Sequence, residues 1–187
     1  MNLLHNRICG SARWAEYMRT DLFPVVLGDV DLGDDVLELG PGLGVTTREL
    51  AGRVPHLTAL EVDETYAERL RRELEPGVTI VHGDASAMPF PDASFTAVAC
   101  FTMLHHVSTP ELQDRLFAET CRVLRPGGVF VGSDGRAGLL FRLIHLGDTL
   151  VPVDPGTLAS RLEAAGLADV RVTPKPKRVH FTARRPA

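Results

Sequence analysis

Three glycines at alternate positions, Gly40, Gly42 and Gly44, follow directly on the apolar run Val36-Leu37-Glu38-Leu39, and Val45-Thr46-Thr47 opens a helical pattern behind them. Glycine lets a chain turn sharply and lets a ligand approach the backbone, while a helix start offers unpaired amide donors. The spacing separates two classes of cofactor. A dinucleotide site reads G-x-G-x-x-G, with a pyrophosphate on the helix N-terminus. Here the pattern is G-x-G-x-G, and Val45 stands where the last dinucleotide glycine would fall. Glu38, just ahead of the loop, is a poor neighbour for a pyrophosphate and a good one for an ammonium group, held directly or through water. A second acid, Glu61, ends the next apolar run, Ala59-Leu60-Glu61-Val62, where a carboxylate can accept both hydroxyls of a ribose. Asp63 and Glu64 behind it fit an N-cap and a first-turn charge. His105 and His106 follow a later apolar run, and histidine titrates in the range a general base needs.

These residues must be positioned by alternating short apolar runs and amphipathic segments. The runs predict strands at Val36–Leu39, Leu57–Val62, Thr79–His82, Ala97–Phe101, Val129–Ser133, Val170–Thr173 and Val179–Ala183, with helices over Thr46–Arg53, Thr65–Leu74, Pro110–Leu124 and Thr157–Ala165. Pro76-Gly77 and Pro126-Gly127-Gly128 stop helical runs ahead of strands. Five residues between the last two strands are too few for a crossover helix, so those strands pair as an antiparallel hairpin. The fold class is α/β: a doubly wound, seven-stranded, mostly parallel sheet with one antiparallel strand at a C-terminal hairpin. Its ligands are expected at the edge that carries the histidine pair. The segment from Ser11 to Leu27, with Trp14, Met18 and Leu22 at helical spacing, predicts a helix capped by Ser11. It either packs over the ligand edge or serves as a lid, or as a surface for an apolar substrate or a membrane.

Glu38-Leu39-Gly40-Pro41-Gly42-Leu43-Gly44 resembles motif I of the class I, Rossmann-like S-adenosylmethionine-dependent methyltransferases. Gly83-Asp84-Ala85-Ser86-Ala87-Met88-Pro89-Phe90-Pro91-Asp92-Ala93-Ser94-Phe95 is similar to the family's second motif. The stretch from Phe95 to Val107 looks like its fourth strand and ligand-edge loop, and Leu124-Arg125-Pro126-Gly127-Gly128 like its turn into the fifth. The resemblance covers residues 36–133. It implies S-adenosylmethionine as cofactor, S-adenosylhomocysteine as product, and a cofactor site of Glu38, Gly40, Pro41, Gly42, Gly44, Glu61, Val62, Asp84, Ala85 and Phe101. In that site Glu61 takes the ribose, Val62 packs on the adenine, Asp84 accepts from the adenine amino group and the Ala85 amide meets the ring. His105 and His106 become catalytic candidates, with hydrogen bonding near the cofactor's amino-acid end as the alternative role.

The chain reads as one domain over residues 1–187: an N-terminal helical cap over 1–30, a cofactor-binding core over 36–133, a substrate-contacting segment over 135–155 and a C-terminal helix and hairpin over 156–187. Trp14, Tyr17, Phe141 and His145 are its candidate substrate residues. A net charge of −4 disfavours nucleic acid as a partner. So does the absence of an Asn/Asp-Pro-Pro-Tyr-like motif at Phe101-Thr102-Met103-Leu104 and of any Pro-Cys dipeptide. A small-molecule or lipid acceptor remains. Cys9, Cys100 and Cys121 have no zinc-type spacing, so no metal is expected, and reduced thiols suit a cytoplasmic protein. Two other readings stay open: aminopropyl-type transfer from a related cofactor, and a catalytically silent cofactor-binding protein.

Overall fold

The computed structural model of the chain describes residues 7–28, 30–74 and 76–187, so residues 1–6 and 29 of the expected N-terminal cap lie outside the described residues. The strands are β1 (Asp35–Leu39), β2 (His56–Glu61), β3 (Thr79–His82), β4 (Phe95–Phe101), β5 (Leu124–Gly135), β6 (Ala168–Pro174) and β7 (Arg178–Arg184). They form one seven-stranded sheet in the order β3-β2-β1-β4-β5-β7-β6. β7 is antiparallel to both its neighbours, β5 and β6, and the remaining pairings are parallel.

Period-two side-chain alternation splits the apolar residues between two cores. Val36 of β1, Ala97, Ala99 and Phe101 of β4 and Val129 and Val131 of β5 face one layer; Leu37 and Leu39, Val98 and Cys100, and Phe130 face the other. The first layer is covered by α1 (Ala12–Tyr17), a π-helical turn (Met18–Leu22), α2 (Phe23–Val26), α3 (Val45–Ala51) and α4 (Glu64–Leu74). The second is covered by α5 (Pro110–Val123) and α7 (Pro155–Ala164). Helices on both faces force the loops that follow β1, β2 and β4 to one edge of the sheet, where the site lies.

Local signals set the helix starts. Ser11 accepts from Trp14 N–H (3.1 Å), Thr109 from Leu112 N–H (3.2 Å) and Asp154 from Gly156 N–H (3.0 Å), and the last two precede a proline at the first helical turn. Asp63 caps α4 as expected, accepting from the amides of Thr65 (2.9 Å) and Tyr66 (3.2 Å). The π turn sits just ahead of Pro24, whose missing N–H and bulky ring interrupt the regular ladder.

Four expected element ends fall short. Arg53, Leu124 and Ala165 lie outside their helices, and Val62 lies beyond β2. Pro126-Gly127-Gly128 lies inside β5: the pairing jumps from Phe95↔Leu124 to Ala97↔Val129, so the extra residues bulge from the ladder while the strand continues. The 135–155 segment contains a short helix, α6 (Leu139–Ile144). Among the described residues no helix is long and apolar enough to cross a membrane.

Candidate active site

The loop after β1 is tied to the tip of β2 by backbone bonds. Gly40 N–H donates to Leu60 O (2.9 Å), Gly44 N–H to Pro41 O (2.9 Å), and Gly83 N–H, after β3, to Glu61 O (2.9 Å). Gly40 has φ +64°, and a Cβ there would come within 2.2 Å of Met103 Cγ, so the loop needs glycine both for its conformation and for the approach of the β4 loop. Gly42 (φ +53°) donates its N–H to Glu61 Oε2 (2.9 Å), and Asp63 N–H donates to Glu61 Oε1 (3.0 Å). Glu61 is therefore aimed by two backbone amides, each of which leaves a lone pair on its oxygen for another donor. Burial pushes its carboxyl up from the ordinary range, against the pull of the Asp63 and Gly42 amides.

A cavity of about 520 Å³, within the range of small-molecule sites, opens over this loop. Gly40, Pro41, Gly42, Glu61, Val62, Asp84, Ala85 and Phe101 of the expected cofactor set line it. Val62 is 64% exposed, an apolar side chain at the rim that a flat ring could cover. Asp84 Oδ1 accepts from Ser86 N–H (2.7 Å) and Ser86 Oγ–H (2.9 Å), which holds the carboxylate in a tight turn. The loop after it is clamped by Arg122, which donates to Met88 O (3.1 Å), Phe90 O (2.8 Å), Asp92 and Glu119.

Two expected cofactor residues stand behind the wall. Gly44 caps α3 with φ +74°, and a Cβ there would meet Leu70. Glu38 is 1% exposed; its Oε1 accepts from the Thr46 hydroxyl, while Oε2 is buried with no hydrogen-bond partner among the described residues. Burial pushes its carboxyl up to about 7 despite the Thr46 bond. A buried oxygen in want of a donor, next to a loop of close-approach glycines, fits an ammonium-bearing ligand.

The histidines divide. His106 lines the cavity, with Thr102, Met103 and Val107 of the same loop. His105 points away from it, 2% exposed, its Nδ1 2.6 Å from Asp134 Oδ1 and its Nε2 3.1 Å from His145 Nε2. Asp134 is held below the usual carboxylate range, burial that would raise it being outweighed by His105. Burial lowers the pKa of His145, whose Nδ1 lies 2.7 Å from Phe141 O. Of the expected substrate residues, Trp14 lines the cavity, whereas Tyr17, Phe141 and His145 do not. Phe141 packs edge-on to His105, with ring centroids 4.9 Å apart, and Arg178 lies over Trp14 and Tyr17 at 5.2 and 5.5 Å.

Sequence reasoning missed Asp134 and Gln113. Gln113 Nε2 donates to Leu104 O (3.0 Å) and Val151 O (2.8 Å), joining the histidine loop to the 145–153 stretch. The signal for Asp134 was available as an acid ending an otherwise apolar strand.

Sheet order and glycine loop define a Rossmann-like α/β protein, and the acids Glu61 and Asp84 line one cleft at its ligand edge. Residues 36–128 match a family model described as a methyltransferase domain. A probable ribosomal RNA small subunit methyltransferase A from Pyrobaculum islandicum is 35% identical over 88 residues, 46% of this chain and 37% of that protein. A chloroplastic 2-methyl-6-phytyl-1,4-hydroquinone methyltransferase 2 from Oryza sativa subsp. japonica is 32% identical over 133 residues, 69% of this chain and 37% of that protein. The chain thus spans little more than a third of the length of these curated relatives. Haemonchus contortus phosphoethanolamine N-methyltransferase 2, solved with S-adenosyl-L-methionine, shares the fold with a TM-score of 0.74 at 15% identity, over 100% of this chain and 61% of that one. Residues 36–128 thus carry a methyltransferase domain of the class I, S-adenosylmethionine-dependent kind.

Proposed function

We propose that this chain transfers a methyl group from S-adenosylmethionine to a small apolar or amphipathic acceptor. The observation that carries the reading is one continuous cavity lined both by the Gly40–Gly42 loop, Glu61 and Asp84 and by His106 and Trp14. When bound, the cofactor supplies a methyl group that is already electrophilic. The chain's task is then to hold donor and acceptor at near-attack distance, an effect that lowers a barrier by about 7–11 kcal/mol.

Glu61 receives the ribose hydroxyls, Val62 the adenine face, Asp84 and the Ala85 amide the adenine edge, and Glu38 the ammonium group. His106 meets the acceptor. The stretch that brings Gly147, Asp148 and Thr149 to the cavity wall also exposes Leu139, Leu143 and Leu146, at 79%, 50% and 70%, which favours an apolar approach. The name of the Pyrobaculum islandicum relative raises ribosomal RNA as a second acceptor class, which a net charge of −4 disfavours.

The test is an assay of S-adenosylhomocysteine release with phenols, quinols, amines, carboxylates and a structured RNA in parallel. Turnover confined to an apolar small molecule is expected; turnover confined to the RNA would overturn the acceptor class. Absence of S-adenosylhomocysteine binding by calorimetry would remove the cofactor reading itself.

A further inference from the structure

We infer that His105, His106 and His145 form a site for a divalent transition-metal ion beside the cofactor cavity. Hydrogen bonding fixes the protonation of two of the three rings. A carboxylate and a carbonyl can only accept, so the Nδ1 atoms of His105 and His145 carry the protons in their bonds to Asp134 Oδ1 (2.6 Å) and Phe141 O (2.7 Å). A ring that carries no second proton then presents a lone pair at Nε2. The two Nε2 atoms face each other at 3.1 Å in a buried setting, His105 being 2% and His145 4% exposed. A cation coordinated by both nitrogens would make that approach attractive.

The spacing suits an ion. Two imidazole nitrogens on one tetrahedral zinc, each about 2.0–2.1 Å from the metal, stand about 3.3 Å apart. His106 completes the set, since one ring nitrogen from each of the three histidines falls within 4.8 Å of the others, and a side-chain movement of about 1.5 Å closes the triangle. A lone proton shared by the two Nε2 atoms is the rival, and it gives His106 no part. Asp134 and the Phe141 carbonyl are acceptors of the kind that orient metal-bound histidines. Three imidazoles select zinc, cobalt, nickel or copper over magnesium or calcium.

Three protein ligands leave a fourth position for water or for an oxygen of a bound molecule. His106 reaches the cavity, so an acceptor carrying a hydroxyl or phenolic oxygen is the ligand class that position would take. This last use of the ion rests on the methyl-transfer reading; the ion's binding does not.

Equilibrium dialysis of the full chain against Co²⁺ and Zn²⁺, with the Co²⁺ absorption spectrum recorded and S-adenosylhomocysteine binding measured alongside, tests the site. We expect one ion per chain and the visible bands of low-coordinate Co²⁺. His145→Gln, which keeps a donor for Phe141 O, and His106→Ala should each weaken binding at least tenfold, and Asp134→Asn by about 10–100-fold. Unchanged thermal melting of His145→Gln separates lost ligation from lost fold. A wild-type chain that takes up no ion at micromolar concentration, or variants that all keep wild-type affinity, would overturn the site. Loss of S-adenosylhomocysteine binding in the wild-type chain would instead sink the cofactor reading and leave the ion site standing.

Discussion

The cofactor wall and the histidine wall of the cavity are made of different material. Along the glycine loop the working groups are backbone amides of Gly42 and Asp63 and the one side chain they aim, Glu61. Around His106 the working groups are side chains: Asp134 on His105 across 29 residues of sequence, His145 on His105 across 40, and Gln113 bridging the backbone carbonyls of Leu104 and Val151. A wall built from backbone depends on where glycine falls and tolerates little change there. A wall built from side chains can be altered one residue at a time while its shape persists.

Gly40→Ala should break the first wall most severely. Its added Cβ meets Met103 Cγ at 2.2 Å on a backbone of φ +64°, so strain and overpacking together should cost about 2–5 kcal/mol of stability, read by urea denaturation. Met103→Ala in the same chain should restore the packing share of that loss and none of the conformational share. Wild-type stability in Gly40→Ala would mean that the loop is not wedged as described.

Glu38 should give a pH dependence that a surface acid would not. Its carboxyl is pushed from 4.5 up to about 7, so between those values the unfolded chain has released the proton and the folded chain has not. The ligand-free fold therefore loses stability as pH rises from about 4.5 to 7, by at most about 3 kcal/mol. Glu38→Gln should melt higher than wild type at pH 8, melt alike at pH 5, and bind S-adenosylhomocysteine more weakly at pH 8. A difference that does not vary with pH would deny Glu38 this buried titration.

Glu61→Ala removes the acceptor of two backbone amides as well as the proposed ribose partner, and should weaken S-adenosylhomocysteine by about 1–3 kcal/mol, about 5- to 150-fold. Calorimetry reads this directly, and an unchanged affinity would take Glu61 out of the site. Val62→Ala should have the smallest effect, about 1 kcal/mol of affinity. Because Val62 is exposed in the ligand-free chain, its melting temperature should not move. Equal losses in binding and stability would mean that Val62 packs against protein.

The same contrast decides what could be read from the sequence. The strand at Val36 shows as an apolar run because a parallel strand buried on both faces has no polar side, whereas the edge strands at Thr79 and Val170 show only by alternation with exposed residues, and the glycine spacing sets the loop. Eight of the expected cofactor residues line one cavity because spacing within a β-loop-α unit is local. Glu38 and Gly44 could not be told from cavity residues, since burial depends on the packing of Thr46 and Leu70. His145 and Phe141 read as substrate residues for the reason that made α6 invisible: Leu139–Ile144 is too short for helical periodicity, and its role comes from contact with His105. The absence of zinc-type spacing among the cysteines said nothing of a histidine 40 residues from its partner.

Backbone-aimed Glu61 and the His106 loop serve one bound molecule, and a crystal structure of the chain with S-adenosylhomocysteine is the test. Both ribose hydroxyls should lie within hydrogen-bond distance of Glu61, the adenine over Val62, and the sulfur on the side of the cavity that His106 lines. A ligand bound elsewhere, or one lying in the cavity with its ribose away from Glu61, would contradict it.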